Sequence, residues 1–324
     1  MIVDRQGTEA EARRRIGVLR EVIEGVGVAT EVHQRQMGTE VHTASVARRS
    51  TLCGVSHGHS RHRRHRFALV GFAVSPDAYD RFMGRYSVPL APVFADFVGV
   101  APGRRMVDVG CGPGALTAEL VKRLGEDSVV AVDPSEPFVE AVRERHPRVE
   151  VHRAAAERLP LPNDTFGAAL AQLVVHFMTD PIAGLREMSR VVKPGGVVAA
   201  CVWDFDEGGS PLSLFWTAAT DVDPQAPGEA SLPGTRRGHL ARLLDEAGVE
   251  AIEHAELAIE VEHRTFEEWW QPFELGVGPA GSYVSALGPQ ERRRVEERCR
   301  DLLPEPPFVV TAAAWAASGQ VRAR

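Results

Sequence analysis

The stretch Met106-Val-Asp108-Val-Gly110-Cys-Gly112-Pro-Gly114-Ala-Leu-Thr117 decides the fold of this chain of 324 residues. A short apolar run leads into three glycines at alternate positions and then directly into a helical pattern. Because glycine has no Cβ, the chain can turn sharply there and bring its backbone close to a ligand. The following helix begins with free N–H groups and the positive end of its dipole. The pattern predicts a strand, a ligand-binding bend and a helix.

Outward from this unit, β-branched runs alternate with helical stretches. The runs predict strands at Met106–Val109, Val129–Val132, Val149–His152, Ala168–Val175 and Val197–Val202. Helices are predicted between them at Ala115–Leu124, Pro137–Arg145 and Pro181–Val191. Such alternation indicates an α/β fold with right-handed crossovers and a mainly parallel sheet covered on both faces. Ligands of these sheets bind beyond the carboxyl ends of the strands, where the strand order reverses.

An acidic residue, Asp133, ends the second predicted strand, which follows the helix after Gly114. A carboxylate at this position can accept hydrogen bonds from both hydroxyls of a ribose. Taken alone, the glycines could form an ordinary tight loop and Asp133 could cap a helix before Pro134. At this spacing the two features together favour nucleoside binding.

Two cofactor classes compete for this site. Gly110, Gly112 and Ala115 formally satisfy the dinucleotide fingerprint. However, Pro113 removes an N–H donor that a pyrophosphate would need, and Asp108 would repel that group. S-adenosylmethionine has no phosphate, and its ammonium group would be attracted by a nearby carboxylate. The residues of the bend therefore favour the sulfonium cofactor.

The bend resembles the first motif of the class I S-adenosylmethionine-dependent methyltransferases. Later segments resemble further motifs of the family in the expected order: Val129–Ser135, Ala156–Phe166 and Leu185–Gly196. The resemblance covers about residues 75–324 and is nearest the ubiquinone-biosynthesis-like (methyltransferase type 11) small-molecule group. It implies a Rossmann-like, seven-stranded, mostly parallel sheet with an antiparallel last strand. We expect Glu250–Val261 and Phe308–Ala317 to form the final pair of strands.

The resemblance also implies roles for individual residues. The glycines of the bend, Gly110, Gly112 and Gly114, would line the methionine and ribose of S-adenosylmethionine. Asp108 would lie near its amino group and Asp133 on its ribose hydroxyls, with Pro134 or Ser135 beside the adenine. Members of the family often have an aspartate that binds the adenine amino group, where this chain has Ala155. This departure leaves adenine recognition to apolar stacking and to the backbone of two residues, Ala156 and Glu157.

Two further segments are expected at the site. Tyr79–Ser87 is similar to the family's helix that closes over the cofactor, so Tyr79 and Arg85 are candidate cofactor contacts, although they could equally serve packing. Gln172 to His176, at the end of the fourth predicted strand, should face the site of methyl transfer, with Gln172 near the cofactor. His176 is the candidate catalytic base, since imidazole can accept a proton near neutral pH. The alternative is a structural histidine hydrogen-bonded under the sheet edge.

Two inserts, at about residues 205–235 and 265–304, are rich in aromatic side chains. They could form an apolar lid over the acceptor, or pack into a small core of their own. The expected function is transfer of a methyl group to a small, hydrophobic or aromatic acceptor. The alternatives are an NAD(P)-dependent oxidoreductase and a non-catalytic protein that binds an adenosyl cofactor.

Composition narrows the class of protein. The chain is 44% apolar and 25% charged, with a formal charge of −7, which disfavours a general affinity for nucleic acid. We expect no membrane span, because no apolar run reaches the ~18 residues that one needs. The four cysteines lie far apart, which disfavours a disulfide scaffold or zinc module and suits the cytoplasm.

The segment 1–66 differs from the rest of the chain, with twelve arginines against seven acidic residues and six of the 12 histidines. We expect residues 1–70 to be disordered or to precede the native start, and residues 71–324 to form the methyltransferase domain. The tract Cys53–His65 could hold a metal or touch nucleic acid. A solvated tail is favoured, since nothing apolar surrounds the tract to orient ligands, and no metal site is predicted.

Overall fold

The computed structural model describes residues 74–322. The predicted extension over 1–70 and the Cys53–His65 tract lie outside these residues. The strands are β1 (Met106–Val109), β2 (Val129–Asp133), β3 (Glu150–Arg153), β4 (Phe166–Gln172), β5 (Val192–Trp203), β6 (Val249–His263) and β7 (Phe308–Val321). The α-helices are α1 (Pro76–Tyr79), α2 (Arg85–Val98), α3 (Ala115–Leu124), α4 (Glu136–Arg145), α5 (Pro181–Val191), α6 (Ser213–Val222), α7 (His239–Glu246), α8 (Phe266–Trp270), α9 (Gly278–Ala286) and α10 (Pro289–Leu302).

The seven strands form one sheet in the order β3-β2-β1-β4-β5-β7-β6. Strands β1 to β5 are parallel, and β7 runs antiparallel to both β5 and β6. The predicted seven-stranded, mostly parallel sheet with an antiparallel last strand is confirmed. The strand order reverses at β1, which lies between β2 and β4, so the bend after β1 lies at the switch point where such sheets bind ligands.

Both faces of the sheet are covered by apolar side chains. Along β2, Val129 and Ala131 join one buried cluster, whereas Val130 and Val132 join the other. This alternation follows from the period of two in a strand, and the presence of apolar residues in both sets explains why β2 is entirely buried. No helix in residues 74–322 is long and apolar enough to cross a bilayer.

The fourth strand ends earlier than the sequence pattern predicts. It stops at Gln172 instead of Val175, because Leu173 adopts a left-handed backbone conformation with φ +63°. A 3-10 turn over Val175–Phe177 follows. A bulky residue with positive φ is strained, and such residues cluster at functional sites. The early end of β4 lets residues 173–177 turn at the carboxyl edge of the sheet.

Candidate functional site

The bend between β1 and α3 depends on its glycines. Gly110 and Gly112 have φ values of +73° and +53°. A Cβ on Gly110 would lie 2.5 Å from the side chain of Val174, so this position requires glycine for close packing. A Cβ on Gly112 would meet no protein atom within 4 Å. Gly110 therefore allows a close contact, and Gly112 leaves space open.

The N–H groups of the bend are occupied within the protein. Those of Gly110 and Cys111 donate to the carbonyl of Val132 at 2.7 and 3.0 Å, and that of Gly114 donates to the Cys111 carbonyl at 3.0 Å. The N–H of Gly112 donates to Asp133 Oδ2 at 2.9 Å. The remaining residue of the bend is a proline. Residues 110–114 therefore offer no free backbone donor to a phosphate group.

Asp133 connects the bend to the tip of β2. Its Oδ1 accepts a hydrogen bond from the backbone N–H of Ser135 at 2.8 Å, while Oδ2 accepts from Gly112. Burial raises the pKa of this carboxyl to about 6, and the two backbone hydrogen bonds oppose the rise. A carboxylate has about four lone-pair positions, so Asp133 can still accept hydrogen bonds from a ligand.

A cavity of about 190 Å³ opens at this bend, and we call it the outer cavity. Eight of the residues predicted to bind the cofactor line it: Tyr79, Gly110, Gly112, Asp133, Pro134, Ala156, Glu157 and Gln172. Ser135 and Ala155 also lie on its wall. The structure thus brings together residues from α1, the bend, the tip of β2, the loop after β3 and the end of β4.

Two polar side chains of the outer cavity are held by hydrogen bonds. Glu157 Oε1 accepts from the N–H of Thr179 at 2.7 Å and from that of Asp180 at 3.2 Å. Gln172 Nε2 donates to the Ser87 carbonyl at 2.9 Å, whereas its Oε1 is buried without a partner. Gln172 therefore has an unsatisfied acceptor at the end of β4.

Two predicted cofactor contacts of the bend do not line the outer cavity. Asp108 is buried at the junction of β1 and α3, where its Oδ2 accepts from the Thr117 hydroxyl at 2.6 Å, and burial raises its pKa to about 7. Gly114, with φ +102°, is the N-cap of α3 and lines a separate groove beside Arg145. Asp108 therefore supports the start of α3, and Gly114 allows the chain to enter that helix.

A third predicted contact, Arg85, also lies away from the outer cavity. Its Nη1 contacts His263 Nδ1 at 3.1 Å and donates to the Glu268 carbonyl at 3.0 Å. Tyr86 contacts the other ring nitrogen of His263 at 3.0 Å. The segment predicted to close over the cofactor is thus fixed to the end of β6 by Arg85 and reaches the cavity through Tyr79.

A second, narrower space of about 30 Å³ adjoins the outer cavity, and we call it the inner cavity. The two share three wall residues, Tyr79, Leu173 and Phe177. The rest of its wall is mainly apolar and includes Phe82, Met83, Trp203, Phe205, Leu212 and Val277. Two residues with ionisable side chains interrupt this apolar lining: His176 and Glu229.

His176 lies on the inner cavity and is buried. Its side chain is 4% exposed, its Nδ1 has no hydrogen-bond partner, and its ring lies 3.8 Å from that of Phe177 between centroids. Burial lowers the pKa of His176 to about 3. The imidazole is therefore neutral near pH 7 and less basic than a general base working near neutral pH should be.

Sequence reasoning missed Glu229. It follows Pro227 and Gly228 in the first insert and belongs to no motif, so nothing local distinguishes it from a solvated acid. Its place on the inner cavity depends on the insert folding back over the sheet edge. The residues next to Glu229 in the sequence give no indication of this long-range contact.

The aromatic residues of the inserts mostly pack on one another. Phe215 stacks on Phe273 with 4.5 Å between ring centroids and meets Trp216 edge-on at 5.0 Å. Trp270 stacks on Phe273 at 5.8 Å. Of the aromatic residues expected to shape the acceptor pocket, Phe205 lines the inner cavity. These residues do not form a separate core, because they belong to the larger buried cluster on one face of the sheet, where Phe273 meets Phe82 edge-on at 5.0 Å.

Comparison with known proteins indicates one family. A family model described as a methyltransferase domain matches residues 107–200. An uncharacterized methyltransferase of Mycobacterium bovis is 36% identical over 135 residues, which are 42% of this chain and 52% of the relative. The ubiquinone/menaquinone biosynthesis C-methyltransferase UbiE of Cupriavidus necator is 31% identical over 179 residues, which are 49% of this chain and 72% of the relative. The chain belongs to the class I S-adenosylmethionine-dependent methyltransferases.

A solved structure shares the fold of this methyltransferase domain. The putative methyltransferase from an antibiotic biosynthesis pathway of Anabaena variabilis aligns with a TM-score of 0.50 and 17% identity, over 71% of this chain and 96% of that one. The chain spans about half the length of the M. bovis relative. The family match over 107–200 contains the bend, Asp133 and His176, whereas Glu229 and both inserts lie outside it.

Proposed function

We propose that this protein transfers a methyl group from S-adenosylmethionine to a small, hydrophobic or aromatic acceptor. The observation that supports it best is the joint placement of Gly112 and Asp133 on the outer cavity. The open space at Gly112 can accommodate the methionine and ribose, and the carboxylate on the neighbouring strand tip can accept hydrogen bonds from both ribose hydroxyls. The adenine would be held by residues further along the wall: Pro134, Ser135, Ala156 and Glu157.

The donor pattern of the bend favours this cofactor over a dinucleotide. A pyrophosphate needs free backbone N–H groups where the bend leads into the helix, and those of Gly110, Cys111, Gly112 and Gly114 are used within the protein. A sulfonium cofactor has no such requirement and gains from nearby negative charge. The NAD(P)-dependent oxidoreductase is therefore the weaker alternative.

Methyl transfer from S-adenosylmethionine mainly requires that the protein hold the two reactants in the correct position. S-adenosylmethionine supplies a methyl group on a positively charged sulfur, and the acceptor attacks that carbon in line with the departing sulfur. The protein must hold the two reactants close together and exclude water, for which apolar walls such as those of the inner cavity are suited. The name of the UbiE relative, a quinone-pathway C-methyltransferase, is compatible with an apolar acceptor.

We further propose that His176 contacts the reacting end of the acceptor through its unpaired Nδ1. Replacement of a general base typically costs about 10²–10⁴-fold, whereas loss of a neutral hydrogen bond costs about 1 kcal/mol. We expect His176→Asn to lower kcat by less than about tenfold, with an unchanged pH profile, for any acceptor that the protein methylates. A larger loss with a displaced pH profile would assign proton transfer to His176, and unchanged turnover would dismiss any role.

Isothermal titration with S-adenosylhomocysteine and with NADH tests the proposed function. We expect S-adenosylhomocysteine to bind and NADH to give no heat of binding. Tight NADH binding without S-adenosylhomocysteine binding would support the oxidoreductase. A protein that binds S-adenosylhomocysteine but methylates no member of a broad acceptor panel would be a non-catalytic adenosyl-binding protein.

A further inference from the structure

Glu229 is a buried acid on an otherwise largely apolar wall. Its side chain is 2% exposed and lines the inner cavity. The carboxylate oxygen Oε2 accepts a hydrogen bond from Trp216 Nε1 at 2.7 Å. Trp216 in turn packs against Phe215 and Tyr283, with 5.0 and 5.7 Å between ring centroids. The packing of Trp216 against Phe215 and Tyr283 therefore fixes the position of the Glu229 carboxylate.

The carboxylate has less compensation than its burial demands. Within residues 74–322, no arginine, lysine or histidine forms an ion pair with Glu229. Trp216 fills one of about four lone-pair positions of an ionised carboxylate. Burial accordingly raises the pKa of Glu229 to about 7, and the Trp216 hydrogen bond opposes the rise. An ionised carboxylate with so few donors destabilises the ligand-free protein. A ligand that donates a hydrogen bond to it would reduce this destabilisation.

A buried polar atom without a partner lies on the same wall. Nδ1 of His176 is buried and makes no hydrogen bond. Ligand sites with mostly apolar walls use a few polar groups of this kind to fix orientation and to select among similar molecules. Because the inner cavity shares Tyr79, Leu173 and Phe177 with the outer cavity, a ligand in it would lie next to the cofactor.

Resting on the proposed function, we propose that the inner cavity receives the methyl acceptor and that Glu229 selects it. The acceptor is a small, mainly apolar molecule with one hydroxyl or amine group, and that group donates a hydrogen bond to the Glu229 carboxylate. At about 30 Å³ the inner cavity has room for this end of the molecule, and the wall residues shared with the outer cavity contact the rest. Trp216 keeps the carboxylate in place, so Glu229 distinguishes acceptors by the presence of a donor.

Three single-ring probes of similar size test this selection: phenol, aniline and toluene. Each is titrated into protein saturated with S-adenosylhomocysteine, and binding is followed by ligand-observed NMR. We expect phenol and aniline to bind wild-type protein at least about tenfold more tightly than toluene, since each can donate a hydrogen bond to the charged carboxylate and toluene cannot. Glu229→Gln should reduce the preference to less than threefold, because glutamine keeps an oxygen for Trp216 and has an NH₂ group in place of the second oxygen.

Asp206→Asn is the matched control, since Asp206 is an exposed acid of the same insert and its replacement removes the same charge. It should keep the tenfold preference. Equal binding of the three probes by wild-type protein, no binding of any probe, or an undiminished preference in Glu229→Gln would overturn the inference.

The affinity for S-adenosylhomocysteine, measured on the same samples, separates this inference from the proposed function. If wild-type protein and Glu229→Gln bind S-adenosylhomocysteine equally and the donor preference is absent, the proposed function stands and the selection by Glu229 fails. If wild-type protein does not bind S-adenosylhomocysteine, the proposed function itself fails. Equal S-adenosylhomocysteine affinity also shows that the Glu229→Gln protein is folded.

Discussion

The outer and inner cavities share a wall but are built in different ways. Apart from Tyr79 and Phe138, the outer cavity is lined by short segments that follow β1, β2, β3 and β4 at one edge of the sheet, and there Gly112 and Asp133 meet through a hydrogen bond of 2.9 Å. The inner cavity is assembled from several separate stretches between Tyr79 and Ala280, including both inserts. Chemistry that depends on local backbone geometry leaves a pattern in the sequence, whereas chemistry assembled from distant segments does not.

The largest effect should come from closing the outer cavity at its bend. Gly112→Ala places a methyl group where the structure has open space, at φ +53°. We expect the affinity for S-adenosylhomocysteine to fall by at least about 100-fold, because the methyl group occupies volume that the ligand needs, while the backbone strain costs only about 1–2 kcal/mol. Isothermal titration measures the loss.

Gly195→Ala is the control for that backbone strain. Gly195 also has a positive φ, +74°, with no atom within 4 Å of a built Cβ, but it lies outside both cavities. It should lose comparable stability and bind S-adenosylhomocysteine as wild-type protein does. Similar losses of affinity in the two variants would attribute the effect to backbone strain. Gly112 would then have no particular role in binding the ligand.

The second effect concerns the acid of the inner cavity and depends on pH. The pKa of Glu229 is about 7 in the folded protein, above its ordinary value of 4.5, so the folded state holds this proton more tightly than the unfolded state. The contribution of Glu229 to the free energy of unfolding therefore falls as pH rises from about 4.5 to 7. Glu229→Gln has no such loss, so we expect it to match wild-type stability near pH 4 and to exceed it by up to about 3 kcal/mol at pH 8.

Urea denaturation at several pH values measures this difference. His176, on the same cavity, titrates in both proteins and cancels from the comparison. Asp206→Asn, which removes an exposed acid of the same insert, is the charge-matched control. If the gap between Glu229→Gln and wild-type protein stayed constant from pH 4 to 8, Glu229 would not be a buried acid with a raised pKa.

The smallest effect should come from restoring a family feature of the outer cavity. Ala155 lies on its wall at the position where related methyltransferases often have aspartate. Ala155→Asp adds an acceptor for the adenine amino group, and a hydrogen bond of about 1 kcal/mol corresponds to a gain of about fivefold in S-adenosylhomocysteine affinity. Glu144→Asp, at an exposed site of α4, should change nothing. A loss of affinity in Ala155→Asp would place the adenine elsewhere.

The fold could be predicted closely where one kind of element follows another in a regular pattern. The bounds of β1 and α3 agree with Met106–Val109 and Ala115–Leu124 as predicted. The predicted end of β4 is too late, because the apolar run continues past Gln172 while Leu173 leaves the strand conformation. A run of apolar residues gives no indication of this change in backbone conformation.

The site could be predicted for residues at strand ends but not for residues whose partners lie far away. Arg85 has the side chain expected of a cofactor contact, yet His263, on a strand 178 positions later, holds it elsewhere. Asp108 is expected near the ligand, but Thr117 on the next helix donates to its carboxylate. Glu229 has no local signal at all. In each case the outcome depends on tertiary contacts that spacing does not encode.

We propose that the bend and Asp133 together hold the adenosyl part of the cofactor. A crystal structure of the complex with S-adenosylhomocysteine tests it through the distances from the Asp133 carboxylate oxygens to the two ribose hydroxyls. We expect both hydroxyls at hydrogen-bond distance, about 2.5–3.0 Å, with the ribose against Gly112. A ribose out of reach of Asp133, or an adenosyl group bound outside the outer cavity, would contradict it.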